Sequence, residues 1–161
     1  MAIPNPNSGV VWKYTEQYND GDGKIGNEEN PDGFTEKFHR SIGTVAIKNG
    51  LLFAPDYSGL LHCLDAKTGK VHWTYDMLAA SWGSPLIVGD YVYVGDEDGD
   101  IAIMKLSAKK EQVGKDINMG SSVLSSPILA NETLFIATRE KVWAIQPGKL
   151  GESADAAGGG K

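Results

Sequence analysis

Thr44-Val-Ala-Ile-Lys-Asn-Gly-Leu-Leu-Phe-Ala54 returns as Ser84-Pro-Leu-Ile-Val-Gly-Asp-Tyr-Val-Tyr-Val94 and again as Ser126-Pro-Ile-Leu-Ala-Asn-Glu-Thr-Leu-Phe-Ile136. The three starts, Thr44, Ser84 and Ser126, stand 40 and then 42 residues apart. A second block follows each: Leu61-His-Cys-Leu64, Ile101-Ala-Ile-Met104 and Val142-Trp-Ala-Ile145. A repeat of this length marks stacked structural units. Each unit reads as strand, Asn-Gly or Gly-Asp turn, strand, tight turn, strand. Ser58-Gly59 and Asp98-Gly99 sit in the tight turns, where a hairpin calls for positive φ. The third unit carries Glu140-Lys141 there and is one residue shorter, so its turn must differ.

The apolar pattern places the strands. Leu51–Ala54, Tyr91–Val94 and Leu134–Ala137 are apolar on both faces, as in a strand covered on both sides. Val71, Trp73 and Tyr75 alternate with His72 and Thr74, which marks a half-buried outer strand. Four-stranded sheets stacked side by side produce this contrast. The expected fold is all-β, a partial β-propeller of about three four-stranded antiparallel blades. A sandwich or closed barrel is the alternative, and neither requires a 40-residue repeat.

Leu64-Asp-Ala-Lys-Thr-Gly-Lys-Val-His-Trp73 resembles the blade motif of the pyrroloquinoline-quinone (PQQ) propeller repeat family. Gly83-Ser84-Pro85 and Val92-Tyr93-Val94-Gly95-Asp96 are similar to the first and second strands of that repeat. The resemblance covers roughly residues 9–147. On the physical side, Asp65 is expected to cap the backbone of the turn through Thr68-Gly69. Trp73 should pack its indole between neighbouring blades. The second unit departs from the motif. Leu106-Ser-Ala-Lys-Lys-Glu111 replaces the turn and Val113 stands where the tryptophan would be, so that joint should be looser.

The family so resembled has two branches. Quinoprotein dehydrogenases hold PQQ and calcium on the propeller axis. Relatives of the outer-membrane assembly lipoprotein are scaffolds without a cofactor. The quinoprotein alcohol dehydrogenases carry a vicinal cysteine pair, whereas this chain has only Cys63. The reading is therefore a non-enzymatic scaffold or binding module, with no catalytic residue assigned and PQQ not expected in this fragment. The alternative is a piece of a PQQ-dependent alcohol or sugar dehydrogenase. The resemblance implies a periplasmic or otherwise extracytoplasmic parent protein.

Val10-Val-Trp-Lys-Tyr14 repeats the Trp-x-Tyr of Trp73 and Tyr75, and so reads as an outer strand preceding the first unit. The third unit shows no outer strand of its own. Three blades fall short of a closed ring, which takes four to eight. The expectation is a C-terminal portion of a longer propeller, or two copies forming six blades, with open blade faces that favour self-association. Residues 1–8 read as a disordered start without signal-peptide features, 9–150 as the propeller, and 151–161 as a disordered tail or linker.

The stretch 18–38 reads as an insertion: Trp12 and Trp73 are 61 residues apart rather than 40. It contains Tyr18-Asn-Asp-Gly-Asp-Gly-Lys-Ile-Gly-Asn-Glu-Glu29, similar to an EF-hand loop. Asp20, Asp22, the backbone carbonyl of Lys24 and Glu29 are the candidate calcium ligands around Gly23. Tyr18 replaces the first carboxylate. The loop is either a weak calcium site or a solvated acidic surface loop.

Other clusters carry competing readings. Asp96, Glu97, Asp98 and Asp100 are a cation site or a polar hairpin tip. His62 lies in an apolar strand as a core histidine, and His72 on a wet face. His39 and Arg40 precede the first inner strand, and Trp82 precedes the second. These three are the candidate ligand contacts, Trp82 either stacking on a flat ligand or packing between blades. The net charge of -6 argues against non-specific nucleic-acid binding. No stretch has the length and apolarity of a membrane span. The partner expected is a protein or polymer that the sequence does not specify.

Overall fold

The computed structural model describes residues 9–14 and 38–147. Among these residues every regular element is a strand, and the strands form three separate antiparallel sheets. Blade 1 holds β1 (Ala46–Lys48), β2 (Leu51–Pro55), β3 (Leu60–Asp65) and β4 (Val71–Asp76), paired in chain order. Blade 2 repeats this with β5 (Leu86–Val88), β6 (Tyr91–Gly95), β7 (Asp100–Lys105) and β8 (Ile117–Asn118). Blade 3 has β9 (Ile128–Ala130), β10 (Thr133–Ala137) and β11 (Val142–Ile145). The partial propeller expected from the repeat is the observed fold.

Registers repeat along with the sequence. Leu52 faces Leu64 in blade 1, and Val92 faces Met104 in blade 2. The first hairpin turns through Asn49 and Gly50 at φ 53° and 77°, the pair of left-handed residues that a two-residue hairpin needs. Asn131 and Glu132 do the same in blade 3, at 49° and 60°. The second turns follow one plan. Asp56 N donates to Leu60 O, Asp96 N to Asp100 O, and Thr138 N to Lys141 O. The last ring is one residue smaller, the turn change that Glu140-Lys141 implied.

The core lies between the sheets. Phe53, Leu61, Cys63 and Trp73 of blade 1 pack with Val92, Val94, Ala102 and Met104 of blade 2. Burying each large side chain contributes roughly 1.5–3 kcal/mol. A lone blade has no such partner surface. The middle strands β2 and β6 are accordingly covered, as expected. β10 and β11 are not. Phe135 is partly exposed, and β11 is exposed along its length. Their apolar character matches the inner pattern, but among the described residues no further sheet covers that face and no outer strand pairs with β11.

Close backbone approach fastens the inner edge. Thr44 N donates to Ser84 Oγ at 2.8 Å, and Ser84 N to Ser126 Oγ at 2.7 Å. These are the residues that open the three repeat blocks. Gly83 lies against the next blade: a β-carbon there would stand 2.6 Å from the Ser125 carbonyl oxygen. Only glycine fits.

Indoles fasten the outer edge. Trp73 is buried against Phe53, and its Nε1 donates to Ser107 O in blade 2 at 3.0 Å. The blade-joint role read from the motif is thus observed. Asp65 caps its turn as expected, accepting from Thr68 N and Thr68 Oγ1 at 2.7 Å each. Trp12 does for the joint before blade 1 what Trp73 does for the next. Its Nε1 donates to Ala66 O at 3.2 Å, and its ring covers Gly69. Residues 9–14 do not form a strand of the described sheets, a departure from the outer-strand reading. They dock on blade 1 through Trp12 and Tyr14, as an outer strand of a preceding blade would.

Candidate functional site

The second-strand turns, residues 56–59, 96–99 and 138–140, gather at one end of the blades beside the lead-in loops of the inner strands. Backbone bonds hold tips to loops: Tyr57 N to Arg40 O, Glu97 N to Ala80 O, Arg139 N to Ser122 O. Serines on the loops add Ser41 Oγ to Pro55 O, Ser81 Oγ to Gly95 O and Ser125 Oγ to Ala137 O, each at 2.9 Å. This face is therefore rigid in backbone and variable in side chain.

Beneath it lies a buried polar network in blade 1. Asp56 and His62 are both fully inaccessible. Asp56 Oδ1 accepts from Ser58 Oγ at 2.7 Å, Ser58 N at 2.9 Å and Leu60 N at 3.0 Å. Its Oδ2 accepts from His62 Nε2 at 3.0 Å and His39 N at 3.1 Å. Burial raises the carboxyl pKa. The bonds from His62, Ser58, Leu60 and His39 outweigh it and hold Asp56 well below the usual carboxylate range. His62 Nδ1 lies 3.0 Å from the Tyr14 hydroxyl. His62 Nε2–H thus serves Asp56, and its Nδ1 pairs with the Tyr14 hydroxyl, which can donate or accept. Tyr14 and Phe38 pack edgewise on the same ring. His62 is thus a core histidine, as expected, with two side-chain partners, Asp56 and Tyr14.

Blade 2 carries the same turn without the histidine. Asp96 is buried and Ala102 fills the place of His62. Asp98 N and Asp100 N donate to Asp96 at 3.0 and 2.9 Å. Burial dominates here, the Asp100 and Asp98 charges add to it, and the carboxyl is pushed up to about 6. Two matching aspartates thus shift in opposite directions: Asp56 has His62, the Ser58 hydroxyl and His39 N bonded to it, whereas Asp96 has the like charges of Asp100 and Asp98 beside it. Among the described residues no group of three or more His, Cys, Asp or Glu side chains is placed to hold a metal, and the acidic residues Asp96 to Asp100 form the turn between β6 and β7. Asp20, Asp22, Lys24 and Glu29 lie outside the described residues. Cys63 is buried and its thiol pushed up to about 12 by that burial. His72 is exposed on β4, as expected.

Two of the three ligand-contact candidates, Arg40 and Trp82, meet at this face. The Arg40 guanidinium stands 4.3 Å over the Tyr57 ring. Tyr57 meets Trp82 edge-to-face at 4.9 Å. Trp82 Nε1 donates to Glu97 Oε2 at 3.1 Å. Arg40, Tyr57, Trp82 and Glu97 therefore form one row across the seam between blades 1 and 2. Trp82 packs between blades and keeps part of its ring exposed. His39 stands apart, its Nδ1 2.9 Å from Ser58 Oγ. Ile42 and Leu124 occupy the loop positions matching Trp82 and are about half exposed, at 51% and 46%. Sequence reasoning missed Tyr57 and took Glu97 only as part of the acidic hairpin tip.

Stacked antiparallel sheets of three and four strands, joints closed by indoles and turns capped by aspartate define a β-propeller repeat protein. The chain belongs to the PQQ-type propeller family described as outer membrane protein assembly factor BamB, whose family model matches residues 2–149. No curated protein matches the sequence. Among solved structures it is similar to BamB from Moraxella catarrhalis, at 24% identity and a TM-score of 0.55, over 65% of this chain and 33% of that one. It also resembles a europium-containing methanol dehydrogenase, at 27% identity and a TM-score of 0.40, over 44% of this chain and 14% of that one. A quinohemoprotein alcohol dehydrogenase from Pseudomonas putida HK5 matches at 19% identity and a TM-score of 0.47, over 58% and 20%. The chain spans about a third of the first structure's length and less of the others. Among the described residues no helix is long and apolar enough to cross a membrane.

Proposed function

We propose that this chain is a non-enzymatic blade-repeat module that binds a protein partner on the face of hairpin tips and lead-in loops, in an extracytoplasmic parent protein. The observation that carries this reading is the row Arg40–Tyr57–Trp82–Glu97. It combines a cation, two aromatic rings and a carboxylate on a stiff backbone, the residue types that dominate protein-binding hot spots. Ile42 and Leu124 extend it with apolar surface. Membership of the BamB family supports a scaffold role over a dehydrogenase. The open face of blade 3, with Val142, Trp143 and Phe135 exposed, supports contact with further blades or with a second copy.

Photo-crosslinking tests the proposal. A photoreactive residue at Ile42 should capture a defined partner in the native envelope, and one at the remote Lys109 should not. Tyr57→Ala with Trp82→Ala should abolish the adduct while the fold persists. Equal capture at both positions, or an adduct indifferent to the aromatic pair, overturns the reading. For the 18–29 loop, calorimetric calcium titration decides: heat that Glu29→Gln abolishes supports the ligand set, and its absence leaves an acidic surface loop.

A further inference from the structure

The three blade joints along the chain are not filled alike. The joint before blade 1 is filled by Trp12, which packs with Leu52 and Leu64 and donates its indole N–H to Ala66 O. The joint between blades 1 and 2 is filled by Trp73, in one cluster with Phe53, Val92 and Met104 and flanked by Ile87 and Leu106. Its indole N–H reaches Ser107 O. Between blades 2 and 3 the matching side chain is Val113. Val113 N donates to Ile103 O at 2.8 Å, and Ile103 stands where Cys63 faces Trp73.

A cavity of about 260 Å³ opens at that joint. Tyr93, Leu129, Leu134, Ile145 and Pro147 line it, with Glu132 and Gln146 at the polar part. These five are the repeat equivalents of Phe53, Ile87, Val92, Met104 and Leu106, the residues around Trp73. The backbone after β11, at Pro147, matches the segment whose carbonyls accept the other two indoles. The cavity thus has the wall of an indole site, and the chain supplies no indole from Val113.

We propose that the cleft between blades 2 and 3 binds an indole group: a planar bicyclic aromatic whose N–H is received by backbone at the end of β11. Its area is apolar and its size that of one aromatic side chain, which sets both the class of ligand and its weakness as a fragment. The indole arrives as a free small molecule or as the tryptophan of another polypeptide. This proposal is independent of the face described under Proposed function.

The test is methyl-detected NMR titration of the chain with free indole and, separately, with N-acetyltryptophanamide. Indole should give saturable shifts at Leu129, Leu134 and Ile145 with one common dissociation constant of about 1 mM. Benzofuran, the same shape without the N–H donor, should bind about fivefold more weakly. Val113→Trp should fill the cleft from within, raise the melting temperature and lower indole affinity at least about tenfold. Leu129→Lys, at a partly exposed position, should weaken binding without unfolding the chain. Binding of the amide as tight as indole assigns the site to a polypeptide side chain, and binding of indole alone to a small molecule. No saturable shift by about 10 mM, shifts that map elsewhere, benzofuran binding equally well, or undiminished affinity in both variants would each overturn the proposal.

Discussion

His62→Ala copies into blade 1 what blade 2 already has, an alanine beside the buried turn aspartate. The substitution removes the Nε2 donor from Asp56 Oδ2 and the Nδ1 partner of the Tyr14 hydroxyl. Charged hydrogen bonds of this kind contribute about 1.5–3 kcal/mol. Leaving a buried carboxylate short of its partner costs about 3–5 kcal/mol. We expect a loss of about 3–5 kcal/mol at pH 7, with the cavity included. The pH dependence is the sharper signature. In the native protein Asp56 is held below its unfolded value, so its contribution is present above about pH 4 and lost as pH falls further. Without His62, burial dominates and the carboxyl moves up, towards the behaviour of Asp96 at about 6. The variant's deficit should therefore shrink by about half between pH 7 and pH 4, as Asp56 takes up a proton at little cost. Adding Asp56→Asn should recover part of the loss at pH 7. Urea unfolding followed by tryptophan fluorescence at several pH values measures this. A deficit that is constant with pH, or one below about 0.5 kcal/mol, would refute the claim that His62 sets the state of Asp56.

Three further predictions concern neighbouring features. Asp96→Asn should stabilise the chain by about 1–3 kcal/mol at pH 7–8, because a carboxyl raised to about 6 loses folded-state favour as pH climbs through that value; the gain should vanish near pH 4. Trp73→Ala should cost about 3–5 kcal/mol in denaturant unfolding, since it empties the joint between blades 1 and 2 and orphans the Ser107 carbonyl. Gly83→Ala should cost about 1–3 kcal/mol by calorimetry, as the new methyl meets the Ser125 carbonyl, which is backbone and cannot swing away.

The fold was legible because blades repeat locally: hairpins join neighbours in sequence, and each strand carries its own two-sided or one-sided apolar pattern. The turn chemistry of Asp65 and the joint role of Trp73 were legible for the same reason. Val113 at the next joint was read as a looser contact, and a cleft lies beside Tyr93 and Leu134 between those blades. What escaped the sequence joins distant residues. Tyr14 reaches His62 across 48 positions, and Trp82 reaches Glu97 and Tyr57 across a blade seam. His39, Arg40 and Trp82 could be picked by their place before inner strands. Their partner Tyr57 could not, because no local pattern distinguishes a hairpin-tip tyrosine that stacks on a neighbouring blade from one that faces water. The exposure of β11 escaped too, since an apolar strand looks the same whether or not another sheet lies over it.

The stacking of blades side by side is tested most directly by nuclear Overhauser contacts from the two joint indoles. The account predicts that the Trp73 indole N–H sees Ser107 and that the Trp12 indole N–H sees Ala66, with Thr44 amide contacts to Ser84 on the inner edge. Indole contacts confined to each tryptophan's own sheet, or strands paired continuously from one repeat into the next, would contradict it.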